Sequence, residues 1–252
     1  MDRRSKFVLC LIAGSAGLAL TLRSSYVRGQ EQTPAAQSRP AANRSVILLD
    51  PAHGGTDPGA DLGDKIAEKD ITLALAAKLR TALAAQGFTV VLTRDSAAAD
   101  PVPAQQRAEI ANHSRAIACI SLHATRSDSG VHVYTSALPA QVESTDTLAP
   151  IRWETAQESF VAQSLQLANG IKSALATAAL PAQTGVATVP PLDSMTCPAV
   201  AIEFAPLNTI EAAGRNIDGA AYQDSAVRAL TAALAKWRTD TSAPPPTPKT
   251  VQ

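Results

Sequence analysis

Two histidines and two glutamates occupy positions from which a sheet could bring them to one place. His53 follows the aliphatic run at 46–49 through Asp50-Pro51-Ala52 and precedes Gly54-Gly55. An imidazole is thereby set at the carboxyl end of a strand, with two glycines that let the backbone turn. His123 closes the run Ala118-Cys119-Ile120-Ser121-Leu122, Glu203 closes Ala199-Val200-Ala201-Ile202, and Glu68 opens a long helical period. In a parallel sheet, the carboxyl ends of strands and the starts of the helices that follow share one edge, where open α/β sheets build sites. Two imidazoles and one carboxylate suffice for a catalytic zinc that keeps a fourth position open. The remaining carboxylate is then available to take a proton from water, whose pKa the metal lowers toward about 7, and to return it to a leaving amine. Each residue has a simpler role in isolation: a turn histidine at 53, a dipole-complementing acid at 68, a hydrogen-bonded core imidazole at 123. Glu203 is harder to explain that way, because an acid inside Val-Ala-Ile-Glu-Phe-Ala is costly to bury unless paired, protonated or beside a metal.

The elements that must position these residues are legible as periods. Aliphatic runs at 46–49, 88–93, 116–122, 131–135 and 199–204 read as strands. Ile71, Leu75, Leu79, Ala82 and Leu83 recur at helical spacing over 68–85, with Gly87 as a stop. Pro103 opens a shorter helix to 114, Phe160, Ser164, Leu167, Ile171 and Leu175 mark a third, and Ala226, Leu230, Leu234 and Trp237 mark the last. This alternation predicts an α/β fold with a mostly parallel sheet covered by helices on both faces. No period spans 136–156, which reads as a long loop at the rim of a site. Glu143, Glu154 and Glu158 lie in or beside it and could approach a metal, although a solvated rim that contacts substrate is the preferred reading. Asp50 and Asp57 are candidates to orient His53, since ligating imidazoles donate their other nitrogen to an oxygen. His113 and His132 carry no partner pattern, and His132, between two valines, reads as a face residue of its strand.

Gross features bound the function class. The 252 residues are 46% hydrophobic and carry 22 basic against 22 acidic side chains, so no global field favours nucleic acid, and none is expected as a partner. Basic residues at 3, 4 and 6 followed by an apolar run at 7–22 read as an export signal over 1–29, or a short anchor. Residues 30–44 read as a disordered linker, 45–238 as the folded domain and 239–252 as a proline-rich disordered tail. Export to the periplasm or cell envelope is therefore expected. Cys119 and Cys197 lie in or beside apolar runs and are expected to be small core residues without a bridge.

Six blocks of the chain resemble the zinc-dependent N-acetylmuramoyl-L-alanine amidases of the type 3 class, which cut bacterial peptidoglycan. They are Ile47 to Ala60 around Asp50-Pro51-Ala52-His53-Gly54-Gly55, with Asp57 and Gly59; Glu68-Lys69-Asp70-Ile71-Thr72-Leu73; Gly87 to Arg94; Arg107 to Asn112; Ile120-Ser121-Leu122-His123-Ala124; and Pro198 to Phe204. The resemblance implies that His53, Glu68 and His123 bind one zinc ion, that Glu203 is the catalytic carboxylate, and that the sheet is twisted with about six strands. It also implies hydrolysis of the amide joining N-acetylmuramic acid to L-alanine, with peptidoglycan as partner. Arg94, Arg107 and Asn112 fit family positions and read as polar anchors of the structure. Departures are Ala52 where glycine is usual, Thr125 where asparagine is common, and Phe204-Ala205-Pro206-Leu207-Asn208 after the catalytic position.

Two rival functions share these residues: a zinc peptidase acting within the stem peptide, and a catalytically silent wall-binding protein. The second is disfavoured because all four chemical positions are filled and aromatic content is only 4%, which leaves few platforms for stacking on glycan. A monomer is expected, and an unidentified activator protein is an open partner.

Overall fold

The computed structural model describes residues 45–97, 100–141, 152–207 and 216–242. The assigned export segment, the linker and residues 243–252 lie outside the described residues.

Six strands form one sheet in the order β2-β1-β3-β6-β4-β5. They are β1 (Val46–Pro51), β2 (Thr89–Leu92), β3 (Ala118–Ala124), β4 (Val131–Ser136), β5 (Ala182–Ala187) and β6 (Ala199–Phe204). Strands β2, β1, β3 and β6 run parallel, β4 is antiparallel to β6, and β5 is parallel to β4. The sheet is therefore mixed and mostly parallel, as expected. The β5 segment, Ala-Gln-Thr-Gly-Val-Ala, carries no strand signal in the sequence because it lies half exposed at the sheet edge without an apolar alternation.

The period-two alternation along each strand divides the core. Ile47, Leu49, Ile120, Leu122, Val200, Ile202 and Phe204 face α1 (Glu68–Ala85), α3 (Val161–Thr177) and α4 (Ala220–Ser242). Leu48, Cys119, Ala199 and Ala201 face α2 (Ala104–Ser114) and the short 3₁₀ turn Leu192–Ser194. The first layer is built on branched aliphatic side chains and the second mostly on small ones. Helix α4 continues through Ser242, past the expected domain end at residue 238. A second 3₁₀ segment, Trp153–Ser159, occupies the end of the region read as a loop, where buried Gln157 donates to the carbonyls of Met195 and Cys197.

The expectation for the cysteines is corrected: Cys119 and Cys197 form a disulfide. Residue 119 pairs in register with Ala199, so the chain entering β6 passes beside Cys119 on the small-residue face. Both cysteines are buried, and their burial does not distinguish a bridge from two thiols; only the β3–β6 register does.

Candidate functional site

The backbone at the end of β1 turns abruptly. His53, Gly54 and Gly55 all have positive φ, at 60°, 130° and 58°, and the loop closes through paired amide bonds between Gly54 and Asp57. A histidine held in the left-handed region is strained, a state that persists only where the surroundings impose it. Here they do. Arg107 Nη2 donates to the His53 carbonyl at 2.7 Å, Arg94 donates to the carbonyls of Pro51, Ala52 and Lys69, and Lys69 Nζ donates to the Gly55 carbonyl at 2.7 Å. Arg94 and Arg107 are thus structural anchors, as is Asn112, which clasps Ser194 and Thr196 before β6.

The buried carboxylate of Glu68, in the first turn of α1, sits between two imidazoles. Its Oε2 is 3.1 Å from His53 Nε2 and accepts from the Ala60 amide, and its Oε1 is 3.1 Å from His123 Nδ1 and accepts from the Ala124 amide. One nitrogen from each histidine and one carboxylate oxygen lie within 4.8 Å of one another, a grouping that could hold a metal ion. The outer nitrogens are also engaged. Asp57 Oδ2 is 2.8 Å from His53 Nδ1, and Ser121 Oγ is 3.4 Å from His123 Nε2. Asp57 therefore orients His53. Asp50 does not touch that ring; it takes Arg107, Thr93 and Ser121 instead, buried beneath the turn. Ligating imidazoles characteristically have their second nitrogen fixed in this way, so the donor set suits a borderline-soft divalent cation such as zinc.

The contacts that join His53 to Glu68 also shift where each of the two titrates. The hydrogen bond to Glu68 pushes the His53 imidazole up to about 9, burial opposes it, and Asp57 adds to it. Burial pulls the Glu68 carboxyl upward, but His123, His53 and the amides of Ala60 and Ala124 outweigh it and hold it well below the usual carboxylate range. Gly59 makes this closeness possible. A Cβ there would lie 2.6 Å from His53 Cδ2 and 2.7 Å from Glu68 Oε2, and φ is +67°. Nothing in the sequence pattern alone reveals that crowding.

Glu203 pairs in register with His123 across β3 and β6, and its side chain is one-third exposed. On its other side, across the antiparallel β4, stands His132, with Nδ1 3.6 Å from Glu203 Oε2. His132 is a residue of the sheet face, as read, but a buried one aimed at a carboxylate. His113 lies on the exposed surface of α2, bonded to the Glu109 carbonyl. Glu154 and Glu158 do not join the metal-competent group among the described residues, and Glu143 lies outside them. A cleft of about 180 Å³ opens beside the group, lined by His53, Asp57, His123, Arg107, Pro190 and Pro191. A larger hollow of about 880 Å³ between α3 and α4 has no histidine or glutamate in its lining, so donor chemistry and not volume marks the candidate site.

The Amidase_3 family model, described as N-acetylmuramoyl-L-alanine amidase, matches residues 47–236. The germination-specific N-acetylmuramoyl-L-alanine amidase of Bacillus subtilis is 41% identical over 91 residues, which are 31% of this chain and 38% of that protein. The N-acetylmuramoyl-L-alanine amidase AmiC of Escherichia coli is 36% identical over 128 residues, 46% of this chain and 30% of that one. The chain thus spans well under half the length of these relatives. Among solved structures, an N-acetylmuramoyl-L-alanine amidase from Clostridium difficile superposes with a TM-score of 0.61 at 24% identity, covering 80% of this chain and 100% of that one. The CwlD amidase of Clostridioides difficile, solved in complex with the GerS lipoprotein, superposes at 0.59 with 23% identity, covering 78% and 99%. These likenesses share the fold, and the family match extends from β1 into α4; the chain belongs to the Amidase_3 family of N-acetylmuramoyl-L-alanine amidases.

Proposed function

We propose that this chain is a zinc-dependent hydrolase that cleaves the amide between N-acetylmuramic acid and L-alanine in peptidoglycan. The observation that carries this reading is the convergence of His53, Glu68 and His123 at one sheet edge, with Glu203 in register beside His123. His53 Nε2, one Glu68 oxygen and His123 Nδ1 would hold one zinc ion per chain. When bound, zinc supplies a Lewis acid and lowers the pKa of water in its open position. Glu203 takes a proton from the attacking water and returns it to the alanine nitrogen as the amide breaks. Asp57 keeps the His53 ring in the orientation that offers Nε2, and Arg107 and Arg94 hold the strained turn that carries it.

Export to the periplasm or cell envelope belongs to the same reading. It is supported by the basic and apolar start of the chain and by the disulfide, a bond that persists in oxidising compartments. Among the described residues no helix is long and apolar enough to cross a membrane. We further propose a monomer whose macromolecular partner is peptidoglycan; the GerS complex of the CwlD amidase supports asking whether an activator also exists here.

The decisive assay digests a defined muropeptide with the zinc-loaded chain and reads the products by mass spectrometry. Release of an intact stem peptide beginning at L-alanine is the expected result. Cleavage between two amino acids of the stem would replace this reading with that of a zinc peptidase.

A further inference from the structure

The carboxyl edge of the sheet carries a register row that runs past the metal-competent group. His123 on β3 pairs with Glu203 on β6, Glu203 with His132 on β4, and His132 with Gln183 on β5. Because β4 runs antiparallel to β6, its second residue arrives at the same edge as the final residues of β3 and β6. All four side chains point to the α2 face, since their neighbours in each strand alternate with it.

His132 is 4% exposed, and its Nδ1 is buried without a hydrogen-bond partner. A buried polar atom in that state costs free energy unless something completes it. The group in front of it is Glu203 Oε2, at 3.6 Å. On the ring's far side Gln183 Nε2 lies 2.8 Å from His132 Nε2. When the Gln183 amide donates to Nε2, the ring's N–H lies on Nδ1, facing the carboxylate. Asp128 Oδ2 lies 3.5 Å from the same Nε2, on a backbone held at φ 112°, strain of the kind that collects at functional sites.

We propose that His132 is a positioning residue for Glu203: its Nδ1–H donates to the carboxylate and fixes which oxygen turns toward the attacking water. The inference rests on Glu203 being the general base. The present 3.6 Å must close by about 0.8 Å to reach ordinary hydrogen-bond length, a tightening common when a catalytic site receives its substrate. Without His132, the Glu203 carboxylate, flanked on its other side by His123, loses the imidazole that faces it from β4.

The test measures kcat, KM, zinc per chain and Tm for the full chain on a defined muropeptide. The variants are His132→Leu, His132→Asn, Glu203→Gln and the double His132→Leu/Glu203→Gln. The expected result for His132→Leu is a fall in kcat of about tenfold with KM and zinc content unchanged, the size typical of losing a supporting hydrogen bond. His132→Asn, whose amide reaches the place of Nδ1, should recover most of that loss. Adding His132→Leu to Glu203→Gln should cost nothing further, because groups that act as a unit are not additive. Unchanged kcat in His132→Leu, no recovery in His132→Asn, or an undiminished tenfold loss in the double variant each overturns the inference and leaves Glu203 as base. If His132→Leu does not fold, Gln183→Leu at the exposed edge decides: reduced kcat at constant KM supports the inference and unchanged kcat overturns it. Wild-type turnover by Glu203→Gln removes the base itself, and the inference with it.

Discussion

Gly59→Ala tests the crowding that lets His53 and Glu68 approach. The added Cβ would lie 2.6 Å from His53 Cδ2, 2.7 Å from Glu68 Oε2 and 2.8 Å from Glu68 Cβ. Unstrained carbon contacts need about 3.5–4.0 Å, so the two side chains must retreat by roughly 1 Å. Metal–ligand distances tolerate only about 0.2 Å. The substitution should therefore weaken zinc binding by at least about tenfold, or 1.4 kcal/mol. It also forces alanine to φ +67°, a strain of roughly 1–2 kcal/mol in fold stability that is separate from the contact. Gly87→Ala separates the two effects, because φ there is +80° and a Cβ meets nothing within 4 Å. Zinc titration against a competing chelator, with melting curves of the zinc-free proteins, reads both. Both variants should lose stability, Gly59→Ala at least as much as Gly87→Ala, and Gly59→Ala alone should lose zinc affinity. Wild-type zinc affinity in Gly59→Ala would refute the claim that His53 and Glu68 must close to this distance to bind the ion.

Arg107→Met leaves Asp50, only 1% exposed, without its cationic partner and frees the His53 carbonyl. A loss of about 3–5 kcal/mol in urea unfolding is expected, and a loss below about 1 kcal/mol would contradict the anchoring role. In the zinc-free protein, His53 binds its proton more tightly folded than unfolded, with its pKa raised from 6.5 to about 9. That stabilisation is complete below pH 6.5 and lost as pH rises through about 9; partial exposure of the ring makes it modest. Glu68 is shifted the other way, so its share is present above 4.5 and lost toward acid. The two describe one shared interaction, and melting temperature should fall on both sides of a pH 4.5–6.5 plateau. Zinc should abolish the alkaline fall, whereas persistence of that fall in His53→Asn would assign it to another group.

Much of this arrangement is legible in the chain because the signals are local. Helix α1 has the bounds its apolar spacing indicates, and the runs ending at 123 and 203 become parallel neighbours whose ends meet. What is not legible depends on pairing between distant segments. Residue 132 looks like a face residue because it stands between two valines on a strand and carries no partner pattern; the antiparallel pairing of β4 with β6 brings it to Glu203. The disulfide is hidden for a similar reason, since the β3–β6 register aligns Cys119 with the chain just ahead of β6. Asp57 and Asp50 look equivalent as orienting acids, yet the hairpin-like turn aims the first at the His53 ring and the second at Arg107. Gly59 looks like one more turn glycine until the two side chains that crowd it are seen.

The central claim, a metal held by His53, Glu68 and His123 beside a carboxylate that moves the proton, is tested most directly by Glu203→Gln. Zinc content and release of stem peptides from purified sacculi are measured on the same preparation. One zinc per chain with turnover lowered by on the order of a hundredfold or more is the expected result. Near-wild-type release of stem peptides by that variant would contradict the account.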